Sequence, residues 1–229
     1  MKAFVVDLDS SENQSILKPI ARPFNNQAHQ VNEAAEKIHE LIKNAPYSND
    51  NIVLKRNEIK EAFFSPFKPQ LKNTQVFLSH SHADKNKALE VKDYLESQTK
   101  RKVFIDSLFW DYKDDVLNKL AKHDDISKIE DAFTLILRES LQDVIEKCPY
   151  FVFLQSKNSV SNQGLSRNQD LLKITYSAWI YEELKIAHSI SESRPIPMME
   201  SMQVFHDTSP FLESFETITL KKLSQQINS

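Results

Sequence analysis

Short apolar runs that alternate with helical segments are the feature that most constrains how this chain folds. Three such runs, Val76 to Ser79, Lys102 to Asp106 and Tyr150 to Gln155, have the length and apolar content of buried strands. Continuous apolar strands separated by helices are typical of a parallel sheet that is covered on both faces. We therefore predict an α/β fold, in which ligands bind at the carboxyl ends of the strands.

Helices fill the intervals between these runs. One is predicted over about residues 84–98, and a polar loop through Trp110 then leads to a second. A longer helix opens near Ser127 and ends before Pro149, which cannot continue it. Nearer the C-terminus, short strands are predicted at residues 195–199 and 216–220, the second of them followed by a short last helix.

The first 72 residues differ in pattern from the rest. A short strand is predicted over residues 4–8, and an amphipathic helix over residues 27–43, whose apolar face needs a surface to cover. A further helix ends at Phe64, and the two prolines that follow it mark a boundary. We therefore predict a mostly helical N-terminal appendage at residues 1–72 and a main domain at 73–229. Removing the appendage is expected to leave a folded domain with altered association.

The composition excludes several classes of function. The 29 basic and 32 acidic residues are mixed along the chain and give a net charge of −3, so nucleic acid is not the expected partner. With no apolar run that could span a bilayer and no signal-peptide pattern, we expect a soluble cytoplasmic protein without a membrane partner. Cys148 is the only cysteine, which excludes an intramolecular disulfide and a cysteine-based metal cluster. Gly164 is the only glycine, which excludes every glycine-rich phosphate loop.

An acid lies at the centre of an apolar helical face in the segment S-A-W-I-Y-E-E-L, residues 177–184. At 3.6 residues per turn, Glu183 shares that face, whereas its neighbour Glu182 points elsewhere. A carboxylate in such a position finds a partner, shifts its pKa or lines a cleft. Glu183 is therefore a candidate site residue, and the alternative is a solvated or paired surface acid. The apolar residues predicted to share its face are Tyr176, Trp179, Ile180, Ile186, Ala187 and Ile190.

Three segments together resemble the sequence boxes of Toll/interleukin-1 receptor (TIR) domains. Q-V-F-L-S-H-S-H-A-D is similar to the first box, in which an apolar strand ends in Ser and an Asp opens the first helix. K-V-F-I-D-S-L-F-W is similar to the second strand and the loop after it, and S-A-W-I-Y-E-E-L resembles the Ser-x-Trp-x-x-x-Glu-Leu segment of enzymatic members. The boxes occur in the family's order, and the resemblance covers roughly residues 74–223.

The resemblance implies a flavodoxin-like, doubly wound parallel sheet for residues 73–229. In bacterial and plant enzymatic members it also implies cleavage of NAD at the nicotinamide–ribose bond. Glu183 matches the family's catalytic glutamate. NAD is then a substrate, and neither a resident cofactor nor a metal ion is implied.

Other residues are expected around the nucleotide. Ser79, His80 and Ser81 border it, and Asp84 orders that border as the N-cap of the following helix. His80 and His82 also suggest a metal pair, which we disfavour because no third ligand is apparent. The aromatic candidates are Trp179, which packs its helix and shapes the pocket, and Trp110, which either stacks on a base or packs against the following helix.

Two classes of function follow from the resemblance. The first is an NAD nucleosidase that yields ADP-ribose, or an ADP-ribosyl cyclase or transferase that yields a cyclic or conjugated signalling nucleotide. A separate effector protein would then respond to the product, as in bacterial antiviral defence. Enzymatic members commonly need self-association to order the loop after the second strand, here residues 107–115. The second class is a non-enzymatic interaction module or scaffold.

Overall fold

The structure, a computed structural model of the chain, describes residues 1–19, 28–45, 47–48, 51–52, 54–65, 71–105, 107–122, 126–163, 172–191 and 206–229. Its helices and strands are, in chain order, β1 (Lys2–Asp7), α1 (Ser11–Ile16), α2 (Ala28–Lys43), β2 (Tyr47–Ser48), β3 (Asn51–Ile52), α3 (Arg56–Phe64), β4 (Thr74–Ser79), a 3₁₀ helix (His82–Asp84), α4 (Lys85–Thr99), β5 (Lys102–Ile105), α5 (Ser107–Leu120), α6 (Ser127–Lys147), β6 (Tyr150–Gln155), β7 (Ser161–Gln163), β8 (Leu172–Thr175), α7 (Ala178–Ser191), β9 (His206–Asp207), α8 (Ser209–Ser214), β10 (Glu216–Thr217) and α9 (Leu220–Asn228).

In the described part of the chain, the central sheet has five strands, all of them parallel, in the order β10–β1–β6–β4–β5. β6 lies at its centre, and four successive residues of this strand, Phe151 to Leu154, are completely buried. Because successive side chains of a strand point to opposite faces, both faces of β6 are covered. The predicted α/β class and parallel sheet are therefore confirmed.

The apolar runs mark the strands closely. The run at residues 150–155 is β6, and the runs at 76–79 and 102–106 correspond to β4 and β5. The helix expected at residues 84–98 is α4, and the strand expected at 216–220 is the shorter β10, which α9 follows. The strand expected at residues 195–199 lies outside the described residues.

β1 does not lie where the sequence pattern places it. The sequence pattern places it in an appendage outside the main domain, whereas in the structure it lies inside the central sheet, between β6 and β10. It pairs with β6 from Lys2 opposite Tyr150 to Asp7 opposite Gln155. Its residues Phe4, Val5 and Val6 are at most 3% exposed, so β1 is also covered on both faces. A local apolar run does not indicate which distant strand it will pair with.

The chain divides into two compact units. One consists of Met1–Ala21, Thr74–Ser107 and Gln142–Ser229, and it contains the central sheet. The other consists of Arg22–Asn73 and Leu108–Leu141. The predicted N-terminal helices therefore belong to the second unit together with a later segment of the chain.

An aromatic cluster forms the interior of this second unit. The ring of Phe63 contacts the rings of Phe64, Tyr112 and Phe133 edge-on, with ring centroids 4.9 to 5.0 Å apart. The hydroxyl of Tyr112 donates a hydrogen bond to the carbonyl oxygen of Phe63 at 2.9 Å. Burial, with a smaller contribution from the negative charge of Glu33, raises the pKa of Tyr112. The hydroxyl thus remains a donor, and it joins α5 to α3.

Two smaller antiparallel sheets complete the described elements. β2 pairs with β3, and β8 pairs with both β7 and β9. β8 is not predicted by the sequence pattern. None of the helices in the described ranges is both long and apolar enough to cross a lipid bilayer.

Candidate active site

Polar residues follow the strands at the carboxyl edge of the central sheet. β1 ends at Asp7, β4 at Ser79 and β6 at Gln155. Because these strands are parallel, the segments that follow them lie at one edge, which is where α/β sheets bind ligands.

Ser79 is completely buried at the end of β4. Its Oγ forms no hydrogen bond with the residues that the structure describes. Since side chains alternate along a strand, Ser79 lies on the same sheet face as Phe77, whose ring stacks on that of Phe151 at 5.7 Å. The centroid of the Phe151 ring is 5.8 Å from that of the Phe215 ring. The Phe215 centroid is in turn 6.5 Å from that of the imidazole ring of His188 in α7. The Ser79 hydroxyl is therefore on the side of the sheet where α7 and α8 pack.

His80 and Ser81 continue the chain from β4 towards α4. His80 is buried and Ser81 is half-buried, whereas His82, which opens the 3₁₀ helix, is exposed. The two histidines thus lie in different environments. Among the described residues, no group of three or more His, Cys, Asp or Glu side chains is placed to hold a metal ion.

Asp84 connects the loop after β4 to the loop after β6. It is the residue before α4, as predicted, but its side chain makes no cap hydrogen bond to that helix. Instead, the buried carboxylate accepts hydrogen bonds from the hydroxyl of Ser156 and from Nδ2 of Asn158, the latter at 2.8 Å. The predicted capping role is wrong, because two donors of the neighbouring loop occupy the carboxylate.

Asp9 makes a second connection, just beyond β1. Its Oδ2 accepts a hydrogen bond from the backbone N–H of Lys157 at 3.0 Å, and its Oδ1 lies 3.4 Å from Nζ of Lys87. The Lys157 hydrogen bond outweighs partial burial and, together with the Lys87 ammonium, lowers the pKa of Asp9. The loops after β1, β4 and β6 are thus joined by hydrogen bonds to two aspartates.

α7 begins after Ser177, whose Oγ accepts a hydrogen bond from the N–H of Ile180 at 3.3 Å. The N–H of Ser177 donates to Oγ1 of Thr175 at 3.2 Å, which fixes the chain as it enters the helix. Of the residues predicted to share a face of α7, Ile180 and Ala187 are buried, whereas Trp179, Ile186 and Ile190 are half-buried. The buried residues of α7 recur at the spacing of one helix face. They are Ile180, Glu183, Leu184, Ala187 and His188.

Glu183 is completely buried within this stripe, whereas Glu182 is half-buried. Acidic side chains are seldom completely buried, so Glu183 is a candidate site residue. The predicted position of Glu183 on the apolar face of α7 is confirmed, and its catalytic role stays a prediction.

Packing accounts for the other polar residue of the stripe. Nδ1 of His188 lies 2.8 Å from Oγ of Ser214, and the imidazole ring lies beside those of Phe211 and Phe215.

Cys148 is likewise buried, and burial raises the pKa of its thiol to about 12. It is an apolar core residue, as predicted.

The aromatic candidates lie in different places. Trp179 is half-buried in α7, one helical turn before Glu183, so the two side chains share a side of the helix. Trp110 lies within α5, and the loop predicted there is wrong, because the chain is helical from Ser107. Tyr176 is 65% exposed and precedes α7, so it does not share the apolar face.

The residues that join the loops are not among the predicted site residues. Asp9 follows a strand that the sequence pattern places in an appendage, although a polar residue after a sheet strand is a usable signal. Ser156 and Asn158 lie in a segment recognised only as a polar loop. Their pairing with Asp84 joins residues more than 70 positions apart, which local sequence does not encode.

Comparison with known proteins identifies no relative of this chain. No protein-family model matches it, and neither a curated protein nor a solved structure is significantly similar to it.

Proposed function

We propose that this chain is a TIR-like enzyme that cleaves NAD at the nicotinamide–ribose bond. The observation that carries the proposal is the complete burial of Glu183 in the apolar stripe of α7, within the segment that resembles the catalytic box of enzymatic TIR domains. Ser79, with its buried hydroxyl on the side of the sheet where α7 packs, supports the same location.

We propose a flavodoxin-like arrangement for the unit that contains the central sheet. A flavodoxin-like sheet has the strand order 2-1-3-4-5. If β4 is taken as the first strand, then β5, β4 and β6 occupy positions 2, 1 and 3. β1 and β10 occupy positions 4 and 5, so the fourth position is filled by the N-terminal strand of the chain.

Few groups are needed for the reaction. Nicotinamide leaves as a neutral molecule with the electron pair of the broken C–N bond, so no general acid is required. The developing cation on the ribose is stabilised by the carboxylate of Glu183. Ser79, His80 and Ser81 border the nucleotide, Trp179 shapes the pocket, and no metal ion takes part.

The product is ADP-ribose when water captures the ribosyl cation, and a cyclic or conjugated nucleotide when another acceptor does. A diffusible nucleotide would signal to a separate effector protein, which places this chain in antiviral defence by analogy with bacterial TIR systems. We further propose that the protein acts in the cytoplasm and that copies of it associate.

A non-enzymatic interaction module is the second candidate. An open groove of about 660 Å³ in the other unit, lined by residues of α2 and α3, favours it, because a groove of this kind accommodates a partner.

Incubation of the purified protein with NAD, followed by mass spectrometry, tests the proposal. Release of nicotinamide is the expected result, and the mass of the second product distinguishes hydrolysis from cyclisation or transfer. NAD that stays intact at every protein concentration, with and without molecular crowding agents, would leave the interaction module as the better account.

A further inference from the structure

The groove between α2 and α3 has a mostly apolar lining with an acidic rim. Leu41 and Ala62 contribute apolar surface, and each lies on one of the two helices. Among the described residues that line the groove, four carry carboxylates and one carries an ammonium group. The acids are Glu36, Glu40, Glu58 and Glu61, and the cation is Lys37.

The single cation does not offset this charge. Nζ of Lys37 lies 2.7 Å from Oε1 of Glu33, an acid outside the groove, and also donates to Oγ of Ser65 at 3.1 Å. On the other rim, Glu58 pairs with Lys55 at 3.0 Å. Glu36 and Glu40 remain one turn apart on α2, both exposed, so the groove presents a negative edge above an apolar floor.

This combination suits the side chains of lysine and arginine. Their long aliphatic stems lie along apolar surface while their charged ends reach carboxylates at the rim. Arginine can also form two parallel hydrogen bonds to one carboxylate, which adds geometric selectivity. The complementary surface is therefore a short basic segment that is held in an ordered conformation.

The chain itself presents such a segment. Lys100, Arg101 and Lys102 are the only three consecutive basic residues in the sequence, and all three are exposed. Lys100 and Arg101 lie between α4 and β5, and Lys102 is the first residue of β5. The turn is ordered, because the N–H of Lys100 donates to the carbonyl oxygen of Glu96 at 3.0 Å. Lys100 has a φ of 58°, a left-handed conformation that glycine adopts more readily than lysine. A lysine therefore stands where glycine would be conformationally easier.

We propose that the basic turn of one copy, residues 100–102, binds the acidic groove between α2 and α3 of a second copy. The two surfaces differ, so the contact either forms twice about a two-fold axis in a dimer or repeats head to tail in a ring or a filament. This inference names the surfaces of the self-association proposed above and rests on it, but it does not depend on the NAD chemistry.

A charge exchange tests the contact. The groove variant E36K/E40K and the turn variant K100E/R101E should each weaken association of the full chain on the order of 100-fold, because like charges then face each other. An equimolar mixture of the two variants should associate again, since each reversed surface meets a reversed partner. Sedimentation velocity across a dilution series measures this, and raising the salt concentration should weaken the wild-type association.

Lys100→Gly supplies an independent variant. It relieves the left-handed backbone conformation while removing one charge, so the fold should become more stable although association becomes weaker. If Lys100 has no role in association, Lys100→Gly should stabilise the fold and leave association unchanged.

The proposal is overturned if the wild type stays monomeric at all concentrations, if neither variant changes its association, or if the mixture does not recover. NAD cleavage is measured on the same samples. Association that responds to the variants in a protein without NAD cleavage would reject the enzymatic proposal alone, and cleavage by a strict monomer would reject the contact alone.

Discussion

At the scale of single residues, Glu182 and Glu183 form a matched pair, because they are chemically identical neighbours on α7 that differ in burial. Glu183→Gln keeps the size and hydrogen-bonding reach of the side chain but removes its charge. Loss of one preorganised electrostatic group costs on the order of a hundred- to thousand-fold in rate. We expect a decrease of that size in NAD cleavage, measured as nicotinamide release.

Glu182→Gln is the control, and it should leave the rate nearly unchanged. Circular dichroism should show both variants folded. Equal rates of NAD cleavage in the two folded variants would show that Glu183 is not the catalytic carboxylate.

The hydrogen bonds of Asp84 lead to a second prediction about a single residue. Asp84→Asn replaces an oxygen acceptor with an amide N–H₂ group, which then faces a donor, either the Ser156 hydroxyl or the Asn158 amide. Loss of a buried hydrogen bond to a charged group costs about 1.5 to 3 kcal/mol. We expect the free energy of unfolding to fall by roughly 2 kcal/mol in urea titrations.

The matched control is Asp93→Asn on the exposed side of α4, which should change the unfolding midpoint little. If both variants unfold at the same urea concentration, Asp84 does not hold the two loops together.

At the scale of helices and strands, the sequence predicts an element correctly where a local pattern determines its position. β6 and the position of Glu183 on the buried face of α7 follow from apolar spacing, although that face also includes His188, which apolar spacing does not predict. The prediction is wrong where the position of an element depends on a partner that is distant in sequence. The position of β1 depends on its pairing with β6, nearly 150 residues later. The polar residues at 107–115 also predict a loop, but that segment belongs to α5.

Packing between helices of the second unit gives an element-scale prediction. Tyr112→Phe keeps the ring among Phe63 and Phe133 but leaves the carbonyl oxygen of Phe63 without this donor. A buried polar group that loses its partner costs about 1 to 3 kcal/mol. We expect a lower free energy of unfolding by about that amount, whereas Tyr176→Phe, at an exposed position, should have little effect. Identical thermal unfolding of the two variants would contradict the role of this hydrogen bond.

At the scale of the whole molecule, the position of β1 changes what the N-terminus does. The sequence pattern predicts that residues before about 72 can be removed from a folded domain. In the structure, however, β1 lies between β6 and β10, and the N–H of Ile218 donates to the carbonyl oxygen of Val5 at 2.9 Å. Asn13, just beyond β1, adds a connection by accepting a hydrogen bond from the N–H of Leu220 at 2.9 Å. The two ends of the chain therefore complete one sheet.

Removal of residues 1–8 should consequently abolish cooperative folding instead of releasing a stable domain. The deletion takes the buried residues Phe4, Val5, Val6 and Leu8 out of the core and leaves one side of β6 without its hydrogen-bonded partner. Val6→Asp tests the same point in the full chain, because it places an uncompensated charge at a completely buried position. Lys2→Asp, at the exposed start of the same strand, is the control that should stay folded. Thermal unfolding followed by circular dichroism measures all three, and a cooperative transition near the wild-type temperature in the truncated chain would show that β1 is dispensable for the sheet.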